Sequence, residues 1–458
     1  MWDQKRYLTP FSMTADPARL WQDLFAAAAG DRACAELAAR MREERLTFGG
    51  RLLCPFLRPF FLPASDEARV RAAAEGLAAI GERVARLALE TPGLTAELGL
   101  SEAEMRLAAI DPGYQTASTA SRADAFILPD SLWFAEYNAE SPAGPGYAQR
   151  LGEVFDALPI MARFRDRFAV SMHKSIERLH LALLTSFREW GGTIAAPVIA
   201  IVDWREVPTW SEFELLAAAF SALGTPTVVA DPRELEIANG RLVAEGRAVD
   251  LVYRRVLIND IVARQDDCRL LVEAYTRRLA CVANTFRCKL PHKKTFFAVL
   301  TDDRHEALFD RAERELIRRH VPWTRRLAQA ETTRDGAKID LLSYIRAHRE
   351  EMVMKPSDEY GGSGVTLGWE TDAKTWDAMI ERAVREPERA WIVQARIPVR
   401  RERFTMCDDH EVVEREMLVD FAPYLFRGRL AGYLTRLSAS GLANVTSGGG
   451  QVPAFVIG

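Results

Sequence analysis

Residues 122–138 read RADAFILPDSLWFAEYN, and this stretch guides the interpretation of the whole chain. Arg122 and Asp124 stand two apart, as do Glu136 and Asn138. Alternate residues of a strand point to the same face, so each pair shares a face if both segments are strands. The PDSLW segment between them is typical of a hairpin turn. The pattern therefore predicts a single patch that contains a guanidinium, two carboxylates and an amide.

The composition of this patch indicates a site for magnesium and a phosphate group. Hard cations such as Mg²⁺ take oxygen ligands, usually one or two carboxylates together with phosphates of the substrate. The fork of donors on an arginine matches phosphate oxygens. A surface hairpin whose charges point into water has the same alternation, so strand spacing by itself leaves both interpretations open.

A second informative stretch, MVMKPSDEYGGSGVTLG, covers residues 352–368. Its apolar run ends at Lys355, which supplies a point charge suited to a phosphate. A Gly-rich loop follows, and glycines allow backbone N–H groups to approach phosphate oxygens closely. The loop is not a Walker A motif, because no Gly-Lys-Ser/Thr ends it, and a simple tight hairpin is the alternative. The candidate loop residues are Tyr360, Gly361, Gly362, Ser363 and Gly364.

Two further segments carry weaker signals. Residues 391–395 (WIVQA) form an apolar strand with one polar side chain, Gln394, and an ordinary buried strand has the same pattern. Lys293 and Lys294 precede a short stretch that predicts an amphipathic helix within residues 291–300 (PHKKTFFAVL). A lysine pair at the start of a helix is often a solvated face, so this assignment depends on the neighbouring motifs.

These motifs together resemble the circularly permuted ATP-grasp family, to which the synthetase domain of glutathionylspermidine synthase belongs. The similarity rests on the R-x-D and E-x-N pairs, the SPAGPGY segment after them, and the lysine followed by a Gly-rich loop. In the usual family order the metal-binding residues come after the ATP lysines, whereas here they come first. The NVTSGGG segment near the C-terminus is also similar to that of the permuted members.

The resemblance implies ATP and two Mg²⁺ ions as cofactors. It implies that Arg122 stabilises the phosphoryl group in transfer. Lys294, with Lys293 close by, is the implied first ATP lysine, and Lys355 is the second. The implied metal ligands are Asp124, Glu136 and Asn138, and the residues implied at the adenine edge are Ile392, Val393, Gln394 and Ala395.

The predicted fold class is α/β (α+β): a circularly permuted ATP-grasp fold with a small parallel-sheet domain and a helix-rich N-terminal region. The helix-rich region with the metal hairpin is assigned to residues 1–190. A small substrate-side α/β domain is assigned to residues 191–290, because strand–helix–strand spacing predicts a parallel sheet there. The ATP cradle is assigned to residues 291–458.

Helical periodicity is clearest in residues 66–90, where apolar side chains recur at helical spacing and Ser65 is a candidate N-cap. Ser101 and Glu104 have the spacing of a capping box and predict the start of a further helix. The N-terminal region is therefore expected to be largely helical around the hairpin.

Candidate substrate residues lie on two segments. Arg254 and Arg255 end a predicted strand, and ligands commonly bind at the carboxyl ends of parallel strands. A solvated or salt-bridged arginine is the alternative at either position. Ser141, just after the hairpin, is a further candidate.

A rival for the metal patch lies near the C-terminus. Asp420, Arg436 and Asn444 occupy the positions in which an unpermuted arrangement would carry its ligands. Leu442 stands where the glutamate of an E-x-N pair is needed, so the early hairpin is preferred. Arg436 and Asn444 are retained as candidate substrate residues.

Composition excludes several classes of protein. The chain has 458 residues with 60 Lys and Arg against 64 Asp and Glu, a net charge of −4, so no basic field predicts nucleic-acid binding. No apolar run has the length of a membrane span. The N-terminal MWDQKRYLTPF lacks an apolar signal core, which predicts a cytoplasmic protein. An oligomer is compatible with the sequence.

The cysteines and histidines do not predict a structural metal or disulfide framework. The six cysteines contain no C-x-x-C pair, and the seven histidines contain no H-E-x-x-H spacing. Neither a zinc site nor a disulfide framework is therefore expected.

The function implied by the resemblance is an ATP-dependent ligase that joins a carboxylate to an amine through an acyl phosphate. Its partners would be a small-molecule or peptide carboxylate and an amine; glutathione with a polyamine is one model, and an amino acid or peptide is another. Two alternatives stay open: a small-molecule kinase of the same fold, which stops at phosphoryl transfer, and a non-catalytic ATP-binding protein.

Overall fold

The computed structural model describes residues 16–29, 33–359, 361–408, 411–440 and 449–458. Its helices are α1 (Pro17–Ala29), α2 (Ala33–Glu43), α3 (Ala64–Glu90), α4 (Pro92–Leu98), α5 (Glu102–Ala109), α6 (Pro145–Asp156), α7 (Pro159–Arg165), α8 (Ser175–Glu189), α9 (Trp210–Ala222), α10 (Ile258–Ala263), α11 (Arg269–Thr276), α12 (Lys289–His292), α13 (Thr295–Thr301), α14 (Arg311–His320), α15 (Leu341–Ala347) and α16 (Ala373–Arg385).

The strands alternate with these helices along the chain. They are β1 (Thr47–Phe48), β2 (Arg51–Leu52), β3 (Phe60–Pro63), β4 (Ala120–Ile127), β5 (Leu132–Asn138), β6 (Val170–Ser171), β7 (Ile199–Val202), β8 (Thr227–Ala230), β9 (Glu236–Ala238), β10 (Arg241–Ala244), β11 (Arg247–Ala248), β12 (Leu251–Arg254), β13 (Cys281–Ala283), β14 (Thr324–Arg326), β15 (Glu331–Arg334), β16 (Ala337–Asp340), β17 (Met352–Lys355), β18 (Thr366–Leu367), β19 (Ile392–Ala395), β20 (Arg401–Asp408), β21 (Glu411–Phe426), β22 (Arg429–Ser438), β23 (Gly450–Val452) and β24 (Ala454–Ile457).

The central sheet combines strands from two distant parts of the chain. Its order is β23-β22-β21-β4-β5, and β20 pairs with the first part of β21. The early hairpin β4–β5 joins the C-terminal strands where Arg122 of β4 is opposite Tyr424 of β21. The hairpin predicted from residues 122–138 is confirmed, and its polar residues lie next to β21 and β22.

The long helix α3 packs against one face of this sheet. It contacts β21 and β22, and its apolar residues at helical spacing, among them Val70, Leu77 and Val84, are fully buried. The predicted helix is thus confirmed, but the predicted N-cap is wrong. Strand β3 runs through Pro63 directly into the helix, so Ser65 lies within the first turn and does not cap it. The capping box of Ser101 and Glu104 is confirmed.

A small parallel sheet lies on the other side of α8 and α9. Its order is β13-β12-β7-β8, and every pairing is parallel. Ile199 and Tyr253 face the core shared with α8 and α9, whereas Val202 and Val252 face α10 and α11. Both faces are covered, which explains why these strands read as continuous apolar runs. The predicted strand–helix–strand pattern of a parallel sheet is confirmed.

A second antiparallel sheet carries the Gly-rich segment. Its order is β14-β19-β17-β18, and α15 and α16 pack against it around Met354, Trp376 and Val393. Helix α13, predicted to be amphipathic, is instead buried on all sides from Thr295 to Leu300, because α4, α14 and β14 surround it.

One disulfide joins α2 to β20, through Cys34 and Cys407, whose Cα atoms are 5.8 Å apart. The expectation that the cysteines form no disulfide is therefore wrong at this pair. The partners are 373 residues apart, so no spacing rule identifies them. The other four cysteines are buried free thiols. In the part of the chain that the structure describes, no helix has both the length and the apolar character that a membrane crossing requires.

Candidate functional site

The hairpin places its four polar side chains as the sequence predicted. In the β4–β5 register Arg122 is opposite Asn138, and Asp124 is opposite Glu136, with a bulge after Asp124. Arg122 donates to Asp124 from Nε at 2.7 Å, and Asn138 donates from Nδ2 to Glu136 Oε1 at 3.0 Å. Each predicted pair therefore shares a face of its strand.

Arg436 of β22 reaches the same carboxylate and extends the patch. Its Nη2 donates to Asp124 Oδ2 and also contacts Asp420 of β21. Burial, aided by the negative charge of Asp124 and opposed by Arg436, raises the pKa of Asp420 to about 7. Asp420 and Arg436 of the rival patch are therefore part of the hairpin patch, because β21 pairs with β4 on one side and with β22 on the other.

Glu136 is held among positive charges. Lys294 Nζ lies 3.3 Å from Glu136 Oε2. Burial would raise the pKa of this carboxyl, but the ammonium groups of Lys294 and Lys355 outweigh burial and hold the pKa of Glu136 well below its usual range. Glu136 is therefore a carboxylate at every physiological pH, ready to balance cations.

Lys355 ends β17 inside the protein. Its Nζ donates to Gln394 Oε1 at 2.7 Å and to the Ala135 carbonyl at 3.3 Å. Burial lowers the pKa of Lys355 to about 8, although the charge of Glu136 opposes the shift. The amide nitrogen of Gln394 donates to Thr324 Oγ1 at 3.1 Å, so this side chain orients the lysine.

The Gly-rich loop begins immediately after β17. Lys294 Nζ donates to the Glu359 carbonyl at 2.6 Å, which attaches the loop to the start of α13. Gly361, Gly362 and Gly364 have positive φ. A Cβ on Gly364 would lie 2.6 Å from the Pro356 ring, so only glycine fits there. The predicted loop residue Tyr360 lies outside the described residues.

A cavity of about 370 Å³, here called the lysine cavity, lies between the central sheet and the second antiparallel sheet. Lys294, Lys355, Asp124 and Glu136 form its charged end. Gln394 and Ala395 also line it, whereas Ile392 and Val393 are buried in the sheet and do not. Its apolar wall is formed by Phe126, Val353, Val365, Leu367, Ile397 and Leu418.

A cavity of about 480 Å³, here called the aspartate cavity, lies at the carboxyl ends of the small parallel sheet. Asp203 follows β7 and Arg255 follows β12, and both line it. The chain passes from β7 to β8 on one side and then crosses to β12 on the other, so this edge is the topological switch point of the sheet. Ligands of open α/β sheets bind at such crevices.

Two carboxylates that line the aspartate cavity, those of Asp203 and Asp260, have no ion pair among the described residues. Burial raises the pKa of Asp203 to about 6 despite the nearby charge of Arg255. Burial also raises the pKa of Asp260. Arg255 is nine-tenths buried, and its Nε has no hydrogen-bond partner among the described residues. This end of the cavity thus offers both charge signs to a ligand.

The two cavities meet at three shared residues, Glu359, Gly361 and Arg436. Arg122 and Asn138 line the aspartate cavity, whereas Asp124 and Glu136 line the lysine cavity. The hairpin patch therefore stands at the boundary between the cavities, and a group that bridges them passes Arg436 and the Gly-rich loop.

The structure separates the remaining substrate candidates. Ser141 and Arg255 line the aspartate cavity, and the Ser141 hydroxyl donates to the Arg254 carbonyl at 2.7 Å. Arg254 is fully buried, pairs with Glu140 at 2.9 Å and lines neither cavity, which agrees with the salt-bridged alternative that the sequence left open. Asn444 lies outside the described residues.

The oxygen atoms of the patch are of the chemical kind that a hard cation takes. Among the described residues no group of three or more His, Cys, Asp or Glu side chains is arranged to hold a metal ion. Mg²⁺ at nucleotide sites needs only one or two carboxylates with phosphate oxygens, and Asp124 and Glu136 are opposite each other. Asp420 Oδ1, buried without a hydrogen-bond partner in the described structure, is a further oxygen at this place.

Several functional candidates were not identified from the sequence. Asp203 lies near the carboxyl end of the predicted strand at residues 197–204, and the strand-end rule that selected Arg255 would also have selected it. Asp260 carried no such signal. Lys289 and Asp358, which form an ion pair at 2.7 Å behind the Gly-rich loop, are brought together only by the tertiary structure.

No protein-family model matches the chain, and no curated protein matches it. Among solved structures it is similar to a glutathione synthetase-like effector from Globodera pallida in its apo form, with a TM-score of 0.61 at 12% identity over 96% of this chain and 98% of that one. A protein from Methylobacillus flagellatus provisionally named gamma-glutamylcysteine synthetase has a TM-score of 0.41 at 12% identity, over 81% and 84% of the two chains, which is too low to support an argument. The first similarity shows a shared fold over nearly the full length of both chains.

Proposed function

We propose that this protein is an ATP-dependent carboxylate–amine ligase of the circularly permuted ATP-grasp type, which forms an amide through an acyl phosphate and releases ADP and phosphate. One observation carries the proposal: a lysine-lined cavity and a cavity of mixed charge meet at Arg436 and the Gly-rich loop. Phosphoryl transfer between two bound substrates needs such a boundary, because catalysis consists mainly of positioning and charge stabilisation.

ATP is assigned to the lysine cavity. Lys294 and Lys355 lie at its charged end and neutralise the phosphates, and the apolar wall suits the adenine. The backbone of Gln394 and Ala395 is proposed to face the edge of the base, because both residues line the cavity. Gly361 and Gly362 line the cavity as well, so the Gly-rich loop lies beside the place proposed for the phosphates.

Mg²⁺ is proposed to be held by Asp124 and Glu136, with Asn138 and Asp420 as further oxygen donors. A cation held by these residues would supply positive charge that stabilises the phosphate groups. Arg436 pairs with Asp124 and Asp420, so this guanidinium has to share the carboxylates with the metal or turn towards the phosphate.

The proposed reaction has two steps, phosphoryl transfer and amide formation. A carboxylate oxygen of the acid substrate attacks the γ-phosphorus, the bond to the bridging oxygen breaks, and ADP leaves. Arg122 and Arg436, at the cavity boundary, stabilise the charge on the transferred group. The amine then attacks the acyl carbon, inorganic phosphate leaves, and the amine nitrogen loses a proton.

The aspartate cavity is assigned to the acid and the amine. Arg255 offers a guanidinium to a carboxylate, and Asp203 and Asp260 offer carboxylates to an ammonium group. This chemistry favours substrates of the amino-acid or peptide kind, which carry both charges. The similarity in fold to a protein described as glutathione synthetase-like is consistent with that class.

The order of the segments supports the permuted arrangement. The metal hairpin β4–β5 precedes Lys294 and Lys355 in the sequence, yet it completes the sheet formed by β20–β23 at the C-terminal end. We assign residues 1–190 and 291–458 to the ATP-grasp part and residues 191–290 to the substrate-side domain, in which the small parallel sheet lies.

The test is turnover of Mg-ATP by the full chain with pooled amino acids, small peptides and polyamines, read by mass spectrometry with hydroxylamine as a trap. We expect ADP together with an amide or hydroxamate. Asp124→Asn should lower turnover about 100-fold or more, because one charge-stabilising group is lost at the reacting centre. Asp377→Asn, in an exposed ion pair with Arg346 at 3.3 Å, is the matched control and should retain full turnover.

The outcomes separate the alternatives. A stable phosphorylated product without an amide would replace the ligase with a small-molecule kinase. AMP in place of ADP would contradict the acyl-phosphate mechanism. Tight Mg-ATP binding without turnover on any pool would overturn the enzyme proposal in favour of a nucleotide-binding protein.

A further inference from the structure

A buried ionic cluster lies behind the Gly-rich loop, outside the proposed ATP contacts. Lys289 of α12 is fully buried, and its Nζ lies 2.7 Å from Asp358 Oδ1, 3.3 Å from Glu140 Oε2 and 3.3 Å from Asn259 Oδ1. The three acceptors come from the Gly-rich loop, the segment after the hairpin, and α10. One ammonium group thus joins three separate parts of the chain.

A second lysine holds the same carboxylate. Lys293 Nζ lies 3.5 Å from Asp358 Oδ2 and 2.7 Å from Glu104 Oε2. Burial would raise the pKa of Asp358, but the two lysines lower it to about 2. Asp358 is therefore ionised and paired at neutral pH.

The residues on either side of Asp358 are attached to the same helical segment. Lys294 N donates to the Ser357 carbonyl at 2.9 Å, and Lys294 Nζ donates to the Glu359 carbonyl at 2.6 Å. Thr295 N donates to Ser357 Oγ at 3.3 Å. Three consecutive residues at the start of the loop are thus each tied to the stretch from Lys289 to Thr295.

The attached segment forms part of the wall between the two cavities. Glu359 and Gly361 are two of the three residues shared by the lysine and aspartate cavities, and Asp358 itself lines the aspartate cavity. A shift of the loop start would move this wall. Near the reacting centre, a displacement of about 1 Å lowers the rate by about 100-fold.

We infer that Asp358 is a positioning residue: its ion pairs with Lys289 and Lys293 set the Gly-rich loop at the boundary between the two cavities before any nucleotide binds. The role assigned to the loop in holding ATP rests on the proposed function, whereas the anchoring itself is a property of the free protein. Asp358 acts through Glu359 and Gly361 and needs no contact with a substrate.

Asp358→Asn is the informative variant because the rest of the cluster stays compensated. Lys289 keeps Glu140, and Lys293 keeps Glu104. The variant should therefore fold, since no buried ammonium loses its last carboxylate. Asp377→Asn, an exposed aspartate in the same part of the chain, is the matched control.

The first measurement is hydrogen exchange of the nucleotide-free protein. In Asp358→Asn we expect the amides of Lys294 and Thr295, which donate to Ser357, to exchange about tenfold faster or more, because the loop start opens locally when one of its charge pairs is lost. The midpoint of thermal unfolding should stay close to that of Asp377→Asn. Equal exchange in Asp358→Asn and the control would overturn the inference.

The second measurement is the affinity for Mg-ATP. If the loop must be set in advance, Asp358→Asn should bind Mg-ATP about tenfold more weakly while Asp377→Asn binds as the wild type does. Faster exchange with unchanged Mg-ATP affinity would overturn the positioning role. A wild-type protein that does not bind Mg-ATP would instead contradict the proposed function, and the exchange experiment would still decide whether Asp358 anchors the loop.

Discussion

Lys355 and Lys289 are both buried lysines beside the Gly-rich loop, yet their ammonium groups lie in opposite surroundings. Lys355, in the lysine cavity, bonds to an amide oxygen and a backbone carbonyl, and burial lowers its pKa to about 8. Burial by itself would lower the pKa of Lys289, in the cluster behind the loop. The charges of Glu140 and Asp358 outweigh burial and raise this pKa well above the usual range.

We infer from this difference that Lys355 is suited to an anionic ligand, whereas Lys289 stabilises the fold. A buried ammonium without a full counter-ion is unfavourable, and an arriving anion removes that penalty. A buried ammonium that is already paired with carboxylates is not stabilised further by an anionic ligand. Its removal leaves those carboxylates without a compensating positive charge. The two lysines should therefore respond in opposite ways to the same substitution.

The largest effect is expected for Lys289→Met. Loss of the ammonium leaves Glu140 with one guanidinium, that of Arg254, and Asp358 with one ammonium, that of Lys293, so the free energy of unfolding should fall by about 3–5 kcal/mol. Urea denaturation measures this change. The exposed Lys338→Met should stay within about 0.5 kcal/mol of the wild type. A decrease of less than about 1 kcal/mol in Lys289→Met would remove the contrast between the two lysines.

Lys355→Met should affect binding and spare the fold. Burying this ammonium costs the native protein free energy of desolvation. Its replacement should therefore leave the free energy of unfolding unchanged or raise it by up to about 2 kcal/mol. Mg-ATP affinity, followed by calorimetry, should fall about 10- to 100-fold, as one hydrogen bond from a charged group is lost. Clear destabilisation with unchanged affinity would mean that Lys355 is structural like Lys289.

Stability should also depend on pH, and of the two lysines only Lys355 should contribute between about pH 8 and 10.5. Its pKa is about 8 in the native protein against an ordinary value of 10.5, so between these pH values the unfolded chain holds a proton that the native chain has lost. The free energy of unfolding of the ligand-free wild type should therefore rise with pH in this window, relative to Lys355→Met. Urea denaturation at a series of pH values measures the difference.

Mg-ATP affinity should change in the opposite direction. Phosphate binding favours the ammonium form, so affinity should weaken as pH rises above about 8, by about tenfold per pH unit at most. Calorimetry in buffers of different ionisation enthalpy would detect the coupled proton uptake. Identical pH profiles for the wild type and Lys355→Met would show that another group controls binding.

Much of the local geometry of the candidate site was predictable because its signals are local. The alternation of residues in β4 and β5 placed Arg122 with Asp124 and Glu136 with Asn138. The strand ending in Lys355 and the glycines after it likewise depend on a few adjacent residues. Period-2 alternation and turn chemistry act over less than about ten residues, so they can be read without knowledge of the fold.

On the substrate side, local signals indicated the end of a strand but not which of its residues lines the cavity. The strand-end rule directed attention to the end of β12, where Arg254 is buried in an ion pair and the next residue, Arg255, lines a cavity. Strand residues alternate between two faces, and which face meets a cavity depends on the helices that cover the sheet. The prediction of Ser65 as an N-cap was wrong for a different reason: β3 leads into α3 without a break.

The sequence by itself therefore determined the hairpin, the lysine-loop segment, the long helix and the small parallel sheet, since these depend on periodicity and on turn residues. Only the tertiary structure decided that Arg436 reaches Asp124 across 312 residues and that Cys34 reaches Cys407 across 373. It also decided that the ammonium of Lys289 is paired with buried carboxylates, whereas the ammonium of Lys355 bonds to uncharged oxygens. Charge balance in a protein interior is set by groups that are distant in sequence, and local patterns do not record them.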